Sequence, residues 1–252
     1  MLQVEHLTKI YEDGTVALRD VSFEVADREF LVILGLSGAG KSTLLRCINR
    51  LIEPTEGRIT WDGTDITAVS GDQLRRIRRH IGFIFQEFNL VERTPVLTNV
   101  LSGRLGYVNP WLSLFHRFPK EEVKRAMRNL ERVGIADLAH KRADDLSGGQ
   151  RQRVGIARAL MQEPRLMLAD EPVASLDPVL AHSILRYLEQ LNKEDGITVI
   201  CSLHFLDLVR RYGTSVVGLR DGQVVFRGVP EEITDERFKE IYGQEAERIT
   251  IT

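Results

Sequence analysis

A continuous apolar run, Phe30 to Leu34, ends in Gly35-Leu36-Ser37-Gly38-Ala39-Gly40-Lys41-Ser42-Thr43, and a helical pattern starts near Lys41. This is the GxxxxGK[ST] pattern in strand–turn–helix context, so it commits the chain to a buried strand feeding a phosphate-binding loop. Gly35, Gly38 and Gly40, with Ser37 and Ala39 between them, let successive backbone N–H groups turn inward around phosphate oxygens. The helix N-terminus adds partial positive charge. Lys41 reaches the β/γ-phosphates, the Ser42 hydroxyl is suited to ligate Mg²⁺, and Thr43 ends the motif.

The rest of the chain builds strands and helices around this unit. Leu2 to Leu7 and Val16 to Val25 alternate as strands about a turn near Asp13-Gly14. Arg58 to Asp62 and Ile81 to Phe85 are further strands. From about 88 to 160 helical periodicity dominates, clearest over Glu121 to Val133 and Ser147 to Met161. This stretch reads as a helical subdomain inserted into an α/β core. The core resumes with the strand Leu166 to Ala169 and with a helix opened by Asp177-Pro178 and running to about Asn192. A strand over Ile197 to Cys201 and a helix over Phe205 to Tyr212 follow. Val216 to Leu219 and Gln223 to Phe226 form a hairpin across Asp221-Gly222. The alternation implies a largely parallel sheet with helices packed on it. The acidic tail from Pro230 onward has no readable role.

Composition narrows the function classes. With 34 Lys and Arg against 36 Asp and Glu in 252 residues, the net charge is −2, which gives no support to a general nucleic-acid binder. The basic run Leu74 to His80 reads as a solvated helix face with Leu74, Ile77 and Ile81 turned inward. No apolar run approaches the roughly 18 residues needed to cross a bilayer, and Met1 to Lys9 has no signal-peptide pattern. The expectation is a soluble cytoplasmic chain whose membrane role runs through partners. Cys47 and Cys201 have no metal-ligand spacing and read as small core hydrophobes.

Two further motifs carry chemistry. Leu166-Met167-Leu168-Ala169-Asp170-Glu171 is an apolar strand ending in two carboxylates. In nucleotide hydrolases with this loop a strand-end Asp holds Mg²⁺, which assigns Asp170. Glu171 is then the candidate general base that polarises the attacking water. Leu146-Ser147-Gly148-Gly149-Gln150 opens a helix and offers a hydroxyl and exposed N–H groups to an anion.

Phosphate loop, LSGGQ and strand-end Asp-Glu, in this order and spacing, resemble the nucleotide-binding subunit of an ATP-binding cassette (ABC) transporter over nearly the whole chain, to about residue 228. The resemblance implies a P-loop NTPase fold of class α/β. Residues 1–87 and 161–228 would form a RecA-like, mixed-sheet core with an antiparallel β subdomain, 88–160 the helical subdomain and 229–252 a C-terminal tail. It implies ATP and Mg²⁺ as ligands. Tyr11 matches the aromatic that stacks on adenine. Gln86 matches the glutamine that senses Mg²⁺ and water and links to the membrane partner. Ser175-Leu176-Asp177 matches the loop that crosses to a second subunit, and His204 the histidine that contacts the γ-phosphate. Two cassettes would stack head to tail, so that ATP at Lys41 of one chain meets Ser147 to Gln150 of the other.

Longer strings narrow the resemblance to ATP-binding subunits of phosphonate importers. These are Gly35 to Ile52, Ala169 to Pro178, Ser202-Leu203-His204-Phe205, Gly103 to Tyr107 with Trp111 to Pro119, and Asp235 to Gly243. That implies integral-membrane permease subunits and a periplasmic or extracytoplasmic substrate-binding protein as partners, no nucleic acid, and a peripheral position on the cytoplasmic face of the cell membrane. An importer for another substrate, or a soluble non-transport complex of the same ATPase type, is the alternative. Tyr107, Trp111, Phe115 and Phe118, spaced for one helical face with Pro110 at a helix start, suit either docking of a permease helix or packing back onto the helical subdomain.

Overall fold

The computed structural model describes residues 1–108, 118–174 and 176–243. Trp111, Phe115, Pro110 and Ser175, named above, lie outside the described residues. Two sheets organise the rest. The first is antiparallel, in the order β2-β1-β4-β5, from β1 (Leu2–Ile10), β2 (Val16–Val25), β4 (Glu56–Trp61) and β5 (Thr64–Asp65). The second runs β10-β9-β3-β8-β7-β6, from β3 (Phe30–Leu34), β6 (Ile81–Ile84), β7 (Leu166–Ala169), β8 (Thr198–Leu203), β9 (Ser215–Arg220) and β10 (Gln223–Gly228). Its strands pair in parallel except for the β9–β10 hairpin, so the sheet is mixed. That hairpin turns on Asp221 and Gly222, with φ of 50° and 76°, the geometry its Asp-Gly pair favours.

The apolar runs of β3 and β7 follow from burial on both faces of the sheet. Phe30, Val32 and Leu34 face one core, with Met167 and Ala169. Leu31 and Ile33 face the other, with Leu166 and Leu168, and that core extends into the antiparallel sheet through Leu2, Val4, Phe23 and Ile59. Helices α3 (Val96–Ser102), α4 (Lys120–Arg132) and α5 (Gly148–Leu160) pack on the first core, as do later helices through residues such as Leu185, Val209 and Ile241. The inward residues of α3, α4 and α5, Val96, Val100, Ala126, Leu130, Val154 and Ile156, are fully buried. Two other helices precede them, α1 (Lys41–Ile48) and α2 (Gly71–Arg78). Among the described residues three follow: α6 (Pro178–Lys193), α7 (Leu206–Tyr212) and α8 (Asp235–Tyr242).

Some elements differ from the sequence reading at their edges. β1 runs to Ile10 rather than Leu7, because its second half pairs with β2 through irregular register around Leu7 and Lys9. β8 starts at Thr198 and continues to Leu203, beyond Cys201. The short helix α3 lies within the stretch 88–160 read as helical, though its own bounds carried no separate signal.

In α2, Leu74 is buried and Ile77 packs on the core, while Arg78 donates to the carbonyls of Asn49 and Arg50. Tyr107 packs back onto the chain: its hydroxyl lies 3.0 Å from the Arg79 carbonyl and 2.9 Å from that of Gln162, with the guanidiniums of Arg79 and Arg104 over its ring. Phe118 also packs on the core. These two aromatics therefore serve packing. Among the described residues no helix is long and apolar enough to cross a membrane.

Candidate nucleotide site

The phosphate loop connects β3 to α1. Gly40 stands just before α1 with φ of 101°, and a Cβ there would lie 2.5 Å from the Ala17 carbonyl oxygen. Only glycine fits that turn against β2. The Lys41 side chain is 3% exposed, and its ammonium donates to the carbonyls of Gly35 at 2.9 Å and Leu36 at 2.8 Å. It also lies 3.3 Å from Glu171 Oε1. The loop thus folds its cation inward onto backbone oxygen acceptors.

β7 delivers the two carboxylates. Ser42 Oγ donates to Asp170 Oδ1 at 2.8 Å, and Ser202 Oγ lies 3.3 Å from the same oxygen. Asp170 is fully buried, and its Oδ2 has no hydrogen-bond partner among the described residues. Arg46 Nη2 stands 3.8 Å from that oxygen. Burial pushes the Asp170 carboxyl up, partly offset by the Ser42 hydroxyl. A buried acceptor oxygen lacking a hydrogen bond, beside a hydroxyl, is a donor set that fits Mg²⁺.

Glu171 adopts a left-handed backbone, φ 46°, which is uncommon outside glycine. Its N–H is held by Ser202 Oγ at 2.8 Å. This turn aims the side chain back toward the loop rather than away. Glu171 Oε1 lies 2.5 Å from His204 Nε2, while His204 Nδ1 lies 3.4 Å from Lys41 Nζ. A neutral imidazole carrying its proton on Nε2 satisfies both contacts. The His204 hydrogen bond and the Lys41 charge hold the Glu171 carboxyl below its ordinary range against the effect of burial. Burial draws the Lys41 ammonium down, and Glu171 opposes that only in part.

Other predicted residues sit around this cluster or apart from it. Tyr11 reaches the loop, its hydroxyl 3.1 Å from Thr43 Oγ1, with Lys9 Nζ 5.3 Å from its ring centre. Ser147 caps α5: its Oγ accepts from Gln150 N at 3.4 Å, and its own N–H donates to Gln150 Oε1 at 3.0 Å. A Cβ on Gly149 would fall 2.0 Å from Leu180 Cδ2, so α5 starts directly against α6. Gly148 faces Leu176 and Phe88. Asp177 accepts from Leu180 N at 3.0 Å and caps α6. Among the described residues no hydrogen bond or ion pair joins Gln86, Asp177 or Ser147 to Gln150 with Lys41, Asp170 and Glu171.

Several residues of this neighbourhood were not foreseen as site residues. Ser202 sits inside the apolar strand β8, and its hydroxyl joins the Asp170 carboxylate to the backbone N–H of Glu171. Arg158 of α5 donates to the Phe88 carbonyl at 2.8 Å and the Asn89 carbonyl at 2.5 Å, holding two left-handed residues just after Gln86. The helix that starts at LSGGQ therefore grips the loop that follows β6. A cavity of about 540 Å³ lies elsewhere, between α4, α5 and α6, and includes Arg132, Arg153 and Tyr187 in its lining. Arg132 is paired with Asp195, and Arg153 bonds the Val133 carbonyl and Ser183, so these guanidiniums are already engaged.

Residues 18–174 match the family described as ABC transporter. The chain belongs to the ABC transporter family. It is 55% identical over 250 residues to the phosphonates import ATP-binding protein PhnC of Bdellovibrio bacteriovorus, covering 99% of this chain and 96% of that one. It is 50% identical over 244 residues to a phosphonates import ATP-binding protein of Halalkalibacterium halodurans, covering 97% and 95%. Among solved structures, the dimeric post-hydrolysis state of the ATP-binding cassette MJ0796 bound to ADP and Pi superposes with a TM-score of 0.82 at 36% identity, covering 91% of this chain and 99% of that one. The ADP conformation of the ABC transporter cassette MJ1267 gives 0.81 at 32% identity, with 94% of each chain covered. The fold class is thus that of an ABC-type P-loop domain, α/β with a mixed and an antiparallel sheet.

Proposed function

We propose that this chain is the ATP-binding and hydrolysing subunit of an importer for phosphonates or related small phosphorus oxyanions. It would work as a head-to-tail homodimer on the cytoplasmic face of the membrane, with permease subunits and an extracytoplasmic binding protein. The observation that carries the ATPase reading is Glu171, held between His204 and Lys41 at the mouth of the phosphate loop. The cargo rests on relatives named for phosphonate import, since nothing in an ATPase subunit of this kind touches the cargo.

The proposed chemistry follows from the chain's own groups. The loop N–H groups and Lys41 bind the β- and γ-phosphates, and Tyr11 flanks the base. Ser42 and Asp170, with Gln86, would hold Mg²⁺, which would neutralise and orient the phosphates when bound. A water oxygen bonds to the γ-phosphorus while the bond to the β–γ bridging oxygen breaks, its electron pair leaving on ADP. Glu171 takes the water proton.

Without nucleotide, Glu171 is a weak base, because His204 and Lys41 both stabilise its charge. Phosphate oxygens compete for both groups. As Lys41 and His204 turn to the phosphates, Glu171 gains basicity at the moment its substrate arrives. Ser147 to Gln150 of the second copy would complete the cage, which would explain a polar helix start with no partner in its own site.

Reconstitution in liposomes with permease and binding protein tests this reading. Hydrolysis should rise when the binding protein carries an alkylphosphonate. Stimulation only by an unrelated cargo overturns the cargo reading. Equal ATPase activity in wild type and Lys41→Ala overturns the assignment of the site.

A further inference from the structure

The tail helix α8 reaches the nucleotide site from the far end of the chain. Tyr242 Oη donates to the backbone carbonyl of His204 at 2.6 Å. The ring of Tyr242 stacks on Phe238 with centroids 4.5 Å apart and planes 26° apart. Ile241 beside it is fully buried, and Gly218 of β9 leaves the room: a Cβ there would fall 2.8 Å from Ile241 Cγ1. Burial pushes the Tyr242 phenol up, so the hydroxyl keeps the proton it donates.

The same tail holds the other end of the element that follows His204. Arg210 of α7 donates to the Ile233 carbonyl at 3.1 Å. Arg220 at the end of β9 donates to the Glu240 carbonyl at 2.8 Å, and Thr234 caps α8 through Arg237 N at 3.3 Å. A short segment, His204 to Tyr212, is therefore tied to the tail at both ends.

We propose that Tyr242 is a positioning residue for His204, so that the C-terminal tail sets the geometry of the hydrolytic site. This rests on the reading of His204 as the γ-phosphate contact. His204 lies between the last residue of β8 and the first of α7, and among the described residues no backbone N–H bonds its carbonyl. The Tyr242 hydroxyl supplies that bond. Its loss lets the His204 peptide turn, and the imidazole moves relative to Glu171 and Lys41. Hydrolysis is affected more than nucleotide binding, because the loop N–H groups and Lys41 are not touched by α8.

The test compares wild type, Tyr242→Phe and His204→Ala as full chains with Mg²⁺–ATP. Phenylalanine keeps the stack on Phe238 and removes only the hydroxyl. Tyr242→Phe should lower kcat about tenfold, the equivalent of one hydrogen bond worth ~1.4 kcal/mol, with KM for ATP within about twofold. In ¹⁵N-histidine-labelled protein the imidazole resonances of His204, assigned through His204→Ala, should shift in Tyr242→Phe. A purely structural role would lower thermal stability without moving those resonances. Unchanged kcat in Tyr242→Phe, or a fall in kcat with the His204 resonances unmoved, overturns the proposal. If His204→Ala hydrolyses ATP like wild type, the reading of His204 falls and the proposal with it. An impaired His204→Ala beside a fully active Tyr242→Phe overturns only the positioning role.

Discussion

Replacing Glu171 with glutamine separates what this carboxylate does for the fold from what it does for chemistry. Glu171 is 12% exposed and lies 3.3 Å from a Lys41 ammonium that is 3% exposed. Removing one partner of a buried pair costs about 3–5 kcal/mol when the other charge is left bare. Here Lys41 keeps the carbonyls of Gly35 and Leu36, and the new amide oxygen still accepts from His204 Nε2. The cost therefore falls to about 1–2 kcal/mol, a drop in Tm of ~2–8 °C for a domain of this size. The pH dependence gives a second reading of the same group. The Glu171 carboxyl is lowered from an ordinary value of 4.5. Its stabilisation is fully present above that value and is lost as pH falls through the lower folded-state value. The gap in Tm between wild type and Glu171→Gln should narrow below about pH 4.5. Differential scanning calorimetry without nucleotide, at neutral pH and in acid, measures both. With Mg²⁺–ATP the order should reverse, since the variant binds ATP and does not turn it over. A nucleotide-free variant as stable as wild type at neutral pH would refute the cluster as an energetic unit.

Other outcomes follow from the same geometry. Asp170 carries the opposite sign: burial raises its carboxyl, so the charged form costs stability that is absent below its ordinary value of 3.8 and full above the raised folded-state value. Asp170→Asn should therefore be no less stable than wild type at neutral pH in thermal melts without Mg²⁺, and should lose the gain that Mg²⁺ adds to ATP; a marked loss without Mg²⁺ would contradict the buried-charge argument. Arg158→Met frees the carbonyls of Phe88 and Asn89 and should cost about 2 kcal/mol, with ATP affinity kept and kcat reduced. Denaturant melts and nucleotide titration check this, and weakened ATP binding would argue against a role confined to the loop after β6.

Much of the site was legible because its chemistry is local in sequence. An apolar strand, a glycine turn and a Lys-Ser pair are contiguous, and both faces of β3 are buried, so the strand signal is continuous. The Asp170–Glu171 pair was legible for the same reason. The left-handed turn at Glu171 was not, because it depends on Ser202 reaching across from β8, and a lone serine in an apolar strand carries no pattern. Arg158 was hidden in the periodicity of α5, where an arginine on one face looks like any solvated residue. Tyr242 was hidden by distance along the chain. Tyr107 left two readings open, and the paired carbonyls of Arg79 and Gln162 decide for packing. Asp177 was legible as the residue that opens α6, because a capping carboxylate before proline is a local signal, and its carboxylate accepts from Leu180 N.

In the proposed dimer one nucleotide is held between Lys41 of one copy and Ser147 of the other. Mixing two defective chains tests this arrangement. Lys41→Ala removes the phosphate contact and Ser147→Arg blocks the facing helix start. Each alone should be inactive, with circular dichroism matching wild type. Mixed dimers would carry both lesions in one site and none in the other, so the mixture should recover ATP hydrolysis. A mixture as inactive as its parents, with mixed dimers demonstrated by differential tagging, would contradict the shared site.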